Sequence, residues 1–165
     1  MMNTLEIDTI LRRHPRTTSV FRGVYARNRL PRILNVPTAL VGNTDPDNLE
    51  GKHWIVIYID ANSKGEYYDP TGSPPFQDAY VNFMNKHCRS WTYNTIGVQE
   101  EGTDVCGHHC IFYLLHRIAG HSMTDVTKIL ADPVDHRHCT ELYFTCETCF
   151  VKQKKRMPKK KWGRC

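Results

Sequence analysis

The chain has 165 residues, and its hydrophobic fraction of 40% and charged fraction of 24% are those of a globular domain that can bury its own core. Its longest apolar runs, 54–59 and 111–115, are far too short to cross a bilayer, so nothing in the sequence predicts a membrane protein. The first residues lack the pattern of a signal peptide, and we expect an intracellular setting in which thiols stay reduced. The seven cysteines are therefore candidates for catalysis or metal binding before disulfides.

The net charge of +5 is distributed unevenly along the chain. Residues 9–44 contain seven arginines and no acidic residue, residues 152–165 contain eight Lys or Arg and no acidic residue, and residues 45–151 are acidic. Two basic ends favour contact with a polyanion, and nucleic acid is the polyanion that we expect. A solubilising surface and a disordered tail would explain the same charges. We divide the chain into a domain over residues 1–150 and a basic, disordered tail over residues 151–165.

The first part of the chain predicts one helix and several short strands. Residues 4–13 have the spacing of a short helix that Thr4 can cap. The apolar patches 21–25 and 31–34 are interrupted by Gly and Pro, which indicates loops or edge strands. Residues 38–41 predict a buried strand.

A hairpin is predicted next. The β-branched and aromatic run 54–59 is typical of a strand buried on both faces, and His53 stands at its beginning. A tight turn over 61–65 leads into a returning strand over 66–69, which Pro70 ends. If the two strands pair in register, His53 and Asp69 emerge at the same end of the sheet.

The remaining elements are a helix over 76–87, a strand over 90–97 and two further helices. The first of these two begins near Cys106, where Thr103 or Asp104 can cap it, and apolar residues recur at helical spacing on one face. The unpaired amides and the dipole at that helix start favour a thiolate at Cys106. Ser122 and Asp125 resemble a capping box that opens the last helix, which runs through Leu130.

Four residues at the ends of these elements match the needs of thiol acyl transfer: His53, Asp69, Gln99 and Cys106. A thiolate attacks, an imidazole holds and returns a proton, and a carboxylate orients the imidazole. A side-chain amide, together with the backbone N–H of the cysteine, stabilises the oxyanion. Each residue has an ordinary structural explanation by itself, but the four together predict a cysteine hydrolase.

Three motifs contain these four residues. They are Gly51-Lys52-His53-Trp54, then Tyr67-Tyr68-Asp69-Pro70 with Gly72, and then Val98-Gln99 with Cys106-Gly107. With these motifs the chain resembles the clan that joins the adenovirus-type maturation proteases (the adenain family) and the Ulp-type proteases of ubiquitin-like modifiers. The resemblance covers about residues 4–118. Gln99 and Cys106 are seven positions apart, which is the adenoviral spacing, whereas the Ulp branch is usually one shorter.

The resemblance implies an α+β, papain-like fold with a mixed central sheet and the nucleophile at the N-terminus of a buried helix. It also implies that Cys106 is the nucleophile, His53 its acid–base partner, Asp69 the orienting acid and Gln99 the oxyanion donor. Many adenoviral relatives carry Glu where this chain has Asp69, and Asp is compatible with the chemistry but has a shorter reach. No cofactor is required for this chemistry.

Relatives of the adenovirus type are activated by DNA and by a short basic peptide that can form a disulfide with the enzyme. Cys88 lies 11 positions before Gln99, where those relatives carry the partner cysteine; an incidental cysteine at a helix end is the alternative. The tail 152–165 is itself basic and ends in a cysteine. We hypothesise that this tail is a tethered activator that docks near Cys88. A nuclear-import signal or a DNA-binding tail would explain the same charges.

The C-terminal part departs from the clan, whose members are longer there. It contains a group of metal-ligating residue types that could bind zinc. These are His136, His138, Cys139, Cys146 and Cys149. The two halves of the group are closer together than in usual zinc motifs, so we regard zinc as the weaker alternative to a chain without metal.

The sequence therefore predicts a cysteine endopeptidase that cleaves precursor proteins of a virus or virus-like element during virion maturation, stimulated by DNA and a basic peptide. We expect protein substrates, DNA contact through the basic N-terminal segment and the tail, no membrane partner and a monomer. A viral enzyme of this kind would act in the host nucleus and the virion. The alternatives are a Ulp-type deconjugase of ubiquitin-like modifiers and an inactive nucleic-acid-binding virion protein.

Overall fold

A computed structural model describes residues 2–100 and 102–132, and the structural statements that follow concern these residues. They form an α+β domain, the fold class that the sequence predicts. In chain order the elements are α1 (Thr4–Arg13), β1 (Phe21–Ala26), β2 (Thr38–Asn43), β3 (Trp54–Ile59), β4 (Lys64–Tyr68), α2 (Asp78–His87), β5 (Ser90–Tyr93), α3 (Cys106–Ile118) and α4 (Met123–Ala131). None of these helices has the length and apolar character needed to cross a bilayer.

The five strands form one mixed sheet in the order β1-β2-β3-β4-β5. The outer pairs β1–β2 and β4–β5 are parallel, and the central strands β2, β3 and β4 are antiparallel. In the predicted hairpin, Val56 pairs with Tyr68 and Ile59 pairs with Gly65. The start of β3 and the end of β4 therefore lie at the same edge of the sheet, as the sequence predicts.

Helices cover both faces of the central strands. On one face the alternate residues Ile55, Ile57 and Ile59 of β3 pack with Tyr80 and Met84 of α2. On the other face Tyr68 of β4 stacks on Tyr113 of α3, with ring centroids 4.0 Å apart. A strand that is buried on both sides has no polar face, which explains the continuous apolar run of β3.

Helix α3 is more deeply buried than its sequence predicts. The spacing indicates one apolar face, but nine of its residues are buried, including Cys106 and His109. Val105 occupies the N-cap position and makes no side-chain cap, so the predicted cap from Thr103 or Asp104 is wrong. The Thr103 hydroxyl instead donates to the Glu100 carbonyl within the preceding loop, 2.7 Å away.

Polar contacts tie α3 to the sheet on its exposed side. The carboxylate of Glu66 on β4 accepts hydrogen bonds from Tyr113 Oη at 2.6 Å and from Arg117 Nε at 2.7 Å. The Arg117 guanidinium also lies 4.7 Å from the centre of the Tyr58 ring on β3. Together with the Tyr68–Tyr113 stack, these contacts fix the position of α3 along the strands.

The first helix differs from its prediction in its cap. Asn3, not Thr4, is the N-cap, and it forms a capping box with Glu6. The buried residues are Ile7 and Leu11, whereas Leu5 is 73% exposed. Asn is a stronger cap than Thr, which explains why the helix includes Thr4 as its first residue.

The capping box at α4 is confirmed. The Asp125 amide donates to Ser122 Oγ at 3.1 Å, and Ser122 Oγ donates to the Asp125 carboxylate at 2.6 Å. The predicted domain boundary at residue 150 and the tail 151–165 lie outside the described residues.

The hydrogen bond between Tyr80 of α2 and Asn43 at the end of β2 provides a test of stability. Tyr80 Oη donates a buried hydrogen bond of 2.5 Å to the Asn43 carbonyl. We expect Tyr80→Phe to lower the free energy of unfolding by about 1–3 kcal/mol, because a buried carbonyl loses a partner. Urea denaturation would measure the loss. Tyr25→Phe is the matched control, since its hydroxyl bonds the Arg22 carbonyl at an exposed position, and equal losses in the two variants would contradict the argument.

Candidate active site

Three of the four predicted site residues meet at one edge of the sheet. His53 directly precedes β3, and Asp69 directly follows β4. Cys106 is the first residue of α3, and its side chain lies near the His53 ring, where it helps to raise the pKa of His53. The structure thus brings a thiol, an imidazole and a carboxylate into one line.

The order of atoms in this line is defined by the imidazole. His53 Nε2 lies 2.8 Å from Asp69 Oδ1 and donates to it. Because Nε2 is engaged by Asp69, Nδ1 is the ring nitrogen that remains for the thiol. Asp69 is almost fully buried, and the His53 side chain is 21% exposed, so the pair lies at the boundary between the interior and solvent.

The surroundings of His53 favour its protonated form. Burial alone would lower the pKa of His53, but the hydrogen bonds and negative charges of Asp69 and Cys106 outweigh burial and raise that pKa to about 9. At neutral pH the imidazole is therefore an imidazolium, which can donate a proton.

The turn that follows β4 orients the carboxylate of Asp69. The backbone N–H and the hydroxyl of Thr71 both donate to Asp69 Oδ1, each at 2.8 Å. The Gly72 amide donates to the Asp69 carbonyl at 2.8 Å, and Gly72 has a φ of +76°, which favours glycine. The Asp-Pro-Thr-Gly sequence is thus a turn whose side chains and backbone aim one oxygen at His53.

Gln99 is attached to the same turn and forms its hydrogen bonds with backbone carbonyls. Its backbone amide donates to the Pro70 carbonyl at 3.0 Å, and its side-chain Nε2 donates to the Thr103 carbonyl at 2.7 Å. No hydrogen bond joins Gln99 to Cys106 within the part of the chain that the structure describes. Since an amide nitrogen carries two hydrogens, one of them stays available to another acceptor.

The start of α3 is covered by the N-terminal segment. Trp54 Nε1 donates to the Met2 carbonyl at 3.0 Å, and Cys106 is only 1% exposed. A Cβ added at Gly107 would come within 3.0 Å of Met2 Cβ and 3.2 Å of Ile7 Cδ1. The glycine after the cysteine therefore lets this segment lie close to the nucleophile.

Two other cysteines lie within the described chain. Cys88 is half-buried beside Gly65, and burial, together with the charge of Asp60, raises its pKa to about 11. Cys110 is fully buried, and burial raises its pKa well above the usual value. Both are thiols at neutral pH. The disulfide between Cys88 and an activating peptide stays a prediction.

The residues proposed for zinc, from His136 to Cys149, lie outside the described residues. Within residues 2–100 and 102–132, no three His, Cys, Asp or Glu side chains are grouped so that they could hold a metal ion.

Sequence reasoning missed two residues that support the acid. Thr71 is signalled by the turn sequence after Asp69, because Asx turns place donors two residues on. Asn94 follows β5 and contacts Asp69 through its side chain, 25 positions along the chain. Only the pairing of β4 with β5 brings these two residues together, and no local sequence pattern predicts their contact.

Comparisons with known proteins establish the fold. No family model and no curated protein matches the chain. Among solved structures, ASFV pS273R protease has a TM-score of 0.60 at 17% identity over 87% of this chain, and the chain spans 66% of that protease's length. The central domain of the uncharacterized Lpg1148 protein from Legionella pneumophila has a TM-score of 0.51 at 15% identity, covering 87% of this chain and 96% of that domain.

The SUMO protease Ulp1 also matches, over 65% of this chain and 53% of its own at 16% identity, but the TM-score of 0.34 is too low to support an argument. The chain thus shares its α+β fold with the ASFV pS273R protease. The comparisons do not show the adenovirus-type family.

The raised pKa of His53 can be tested directly. We expect His53 to titrate near pH 9 in the parent protein and at a lower pH in Asp69→Asn, because burial is then opposed by Cys106 alone. NMR of the ring resonances across pH 5–10 would measure both values. Asp47→Asn removes a surface carboxylate paired with Arg29 and serves as the control. A parent value near 6.5 would contradict the described geometry.

Proposed function

We propose that this protein is a cysteine endopeptidase that cleaves precursor proteins of a virus or virus-like element during virion maturation. The observation that carries the proposal is the line from Cys106 through His53 to the buried Asp69. In this arrangement a nucleophile, a proton carrier and an orienting acid are in contact, as acyl transfer by a thiol requires.

The acylation step uses Cys106 and His53. The Cys106 thiolate attacks the carbonyl carbon of the scissile peptide and forms a tetrahedral intermediate. As the intermediate collapses, the C–N bond breaks and His53 gives its proton to the leaving amine. The products of this step are a thioester on Cys106 and a free amine.

Deacylation returns the site to its starting state. A water molecule attacks the thioester while neutral His53 takes one of its protons. The C–S bond then breaks, which releases a carboxylic acid and the Cys106 thiolate beside an imidazolium. Asp69 keeps the ring oriented and stabilises its positive charge in both steps.

The oxyanion is stabilised by hydrogen-bond donors at the start of α3. The backbone N–H of Cys106 is in the first turn, where no side-chain cap competes for it. The second Nε2 hydrogen of Gln99 is the proposed partner donor. These donors, the side chains and water supply the chemistry, and proteases of this clan need no cofactor for it.

Precursor proteins of a virus or virus-like element are the proposed substrates, with small residues such as glycine near the scissile bond. Two observations support a viral origin: the motifs that resemble the adenovirus type, and the fold shared with a protease of ASFV. We propose a monomer that acts inside the cell, in the host nucleus and in the virion.

Basic side chains that form no ion pair within the described residues support the proposed contact with DNA. Arg12 and Arg29 are engaged by Asp8 and Asp47. By contrast, a groove of about 390 Å³ between α2 and the segment after β1 has three cationic residues and no acidic residue in its lining. These are Arg27, Arg32 and Lys86. A polyanion would neutralise this groove, and binding would weaken as salt increases.

The nucleophile can be tested by labelling and by turnover. We expect a thiol-directed irreversible inhibitor to label Cys106 selectively, because the other two described cysteines have raised pKa values. We expect Cys106→Ala to lower kcat/KM on capsid precursors by at least about 10³-fold. Mass spectrometry of the labelled protein and gel assays of precursor cleavage would measure these effects.

Cys88→Ser is the control for the labelling assay, and we expect it to react at Cys106 as the parent does. Failure of the parent to label would favour an inactive nucleic-acid-binding protein. Cleavage only after the C-terminal Gly-Gly of a ubiquitin-like modifier would favour a deconjugase instead of a maturation protease.

The proposed activators, DNA and a basic peptide, can be tested with the tail. If residues 152–165 are a tethered activator, we expect their deletion to lower turnover, and a synthetic peptide of the same sequence to restore it. Turnover would be measured with and without DNA at two salt concentrations. Unchanged turnover after deletion would end the tethered-activator hypothesis. Arg27→Gln with Arg32→Gln, compared with Arg29→Gln, would show whether the unpaired arginines carry the DNA effect.

A further inference from the structure

The parallel pairing of β4 with β5 is continued by a side chain where the backbone pairing ends. The last backbone partners are Tyr67 and Tyr93. Asn94 directly follows β5, and its Oδ1 accepts a hydrogen bond from the Asp69 amide at 2.8 Å. Its Nδ2 donates to the Asp69 carbonyl at 2.7 Å. The carboxamide therefore binds both backbone groups of the residue whose carboxylate contacts His53.

The same carboxamide also holds the segment that leads to Gln99. Asn94 Nδ2 donates a second hydrogen bond, of 3.1 Å, to the Ile96 carbonyl. Both hydrogens of Nδ2 are thus used, and Asn94 is only 4% exposed. A buried carboxamide with three hydrogen bonds to backbone groups has one orientation, so it is a rigid support for those groups.

The support from Asn94 is needed because Asp69 lies beyond the end of β4. After Tyr68 the chain turns at Pro70, which has no amide hydrogen to contribute to the sheet. Without Asn94, the Asp69 amide would lose its acceptor, and the Asp69 carbonyl would lose one of two donors and keep only the Gly72 amide.

We propose that Asn94 is a positioning residue of the active site, which fixes the backbone of Asp69 and thereby aims its carboxylate at His53. This inference rests on the proposed cysteine endopeptidase function. Asn94 does not contact the reacting atoms. Its effect reaches them through Asp69 and through the segment 96–99 that carries the proposed oxyanion donor.

The test uses Asn94→Leu, which keeps the approximate size of the side chain, adds no charge and removes all three hydrogen bonds. We expect kcat on precursor substrates to fall by about 10- to 100-fold, with KM nearly unchanged, because a small misplacement of a catalytic group is costly. We expect the pKa of His53, followed by NMR, to fall below the parent value of about 9. Asn94→Ala repeats the measurement if the leucine variant does not fold.

Asn85→Leu is the matched control, because Asn85 accepts an exposed hydrogen bond from Trp91 and shares no hydrogen bond with Asp69 in the described part of the chain. We expect it to leave kcat and the titration of His53 unchanged. A general loosening of the fold would lower the stability of Asn94→Leu without moving the titration of His53, and that result would overturn the proposal.

A double-variant cycle separates action through Asp69 from any other route. If Asn94 acts through Asp69, adding Asn94→Leu to Asp69→Asn causes no further change in the pKa of His53. A further change of the same size as in the parent background would overturn the proposal. The NMR titration needs no turnover, so it reports on Asn94 even if the protein proves not to be a protease.

Discussion

The buried carboxylate of Asp69 is the constraint on which the rest of the site depends. Removing an ionised carboxylate from water costs several kcal/mol, on the order of the stability of a whole domain, unless hydrogen bonds replace the lost solvation. Here three donors converge on Oδ1: His53 Nε2, the Thr71 amide and the Thr71 hydroxyl. These hydrogen bonds join the start of β3, the end of β4 and the turn after it. The negative charge of Asp69 also raises the pKa of His53 and so favours the charged imidazole.

The rest of the domain holds the thiol at a fixed place relative to that carboxylate. The turn after Asp69 accepts two backbone hydrogen bonds from Val98 and Gln99 through the Pro70 carbonyl. Gly72 and Gly97 approach so closely that a Cβ on Gly72 would lie 2.5 Å from the Gly97 amide nitrogen. The loop before Cys106 thus starts from the same turn that carries the acid. On the side away from the thiol, Glu66 holds α3 against β4, so the helix cannot slide along the sheet without losing a charged hydrogen bond.

The elements that could be predicted from the sequence are those with a local cause. The apolar run of β3, the stop at Pro70 and the Ser122 capping box depend on neighbours a few positions away, and the structure agrees with all three. Nonlocal features were not predictable. Helix α3 is buried on nearly all sides because α1, α4 and the sheet surround it, and its own periodicity shows only the most apolar face. In the same way, the positions of His53, Asp69 and Cys106 could be inferred from the ends of predicted elements. The hydrogen bonds of Asn94 to Asp69 form only when β5 pairs with β4.

The deep burial of α3 also determines the order in which the domain opens. Amides in the interior exchange with solvent only when most of the domain unfolds, whereas a segment held by a few side-chain hydrogen bonds opens in smaller fluctuations. The segment 94–100 is of the second kind, since Asn94 and Gln99 hold it partly through side-chain hydrogen bonds, whereas Cys106 lies in the buried helix. A fluctuation that frees this segment would separate the carboxylate of Asp69 from Asn94 while the sulfur remains in a folded helix. We therefore expect the arrangement around Asp69 to be lost on heating before the helical structure is lost.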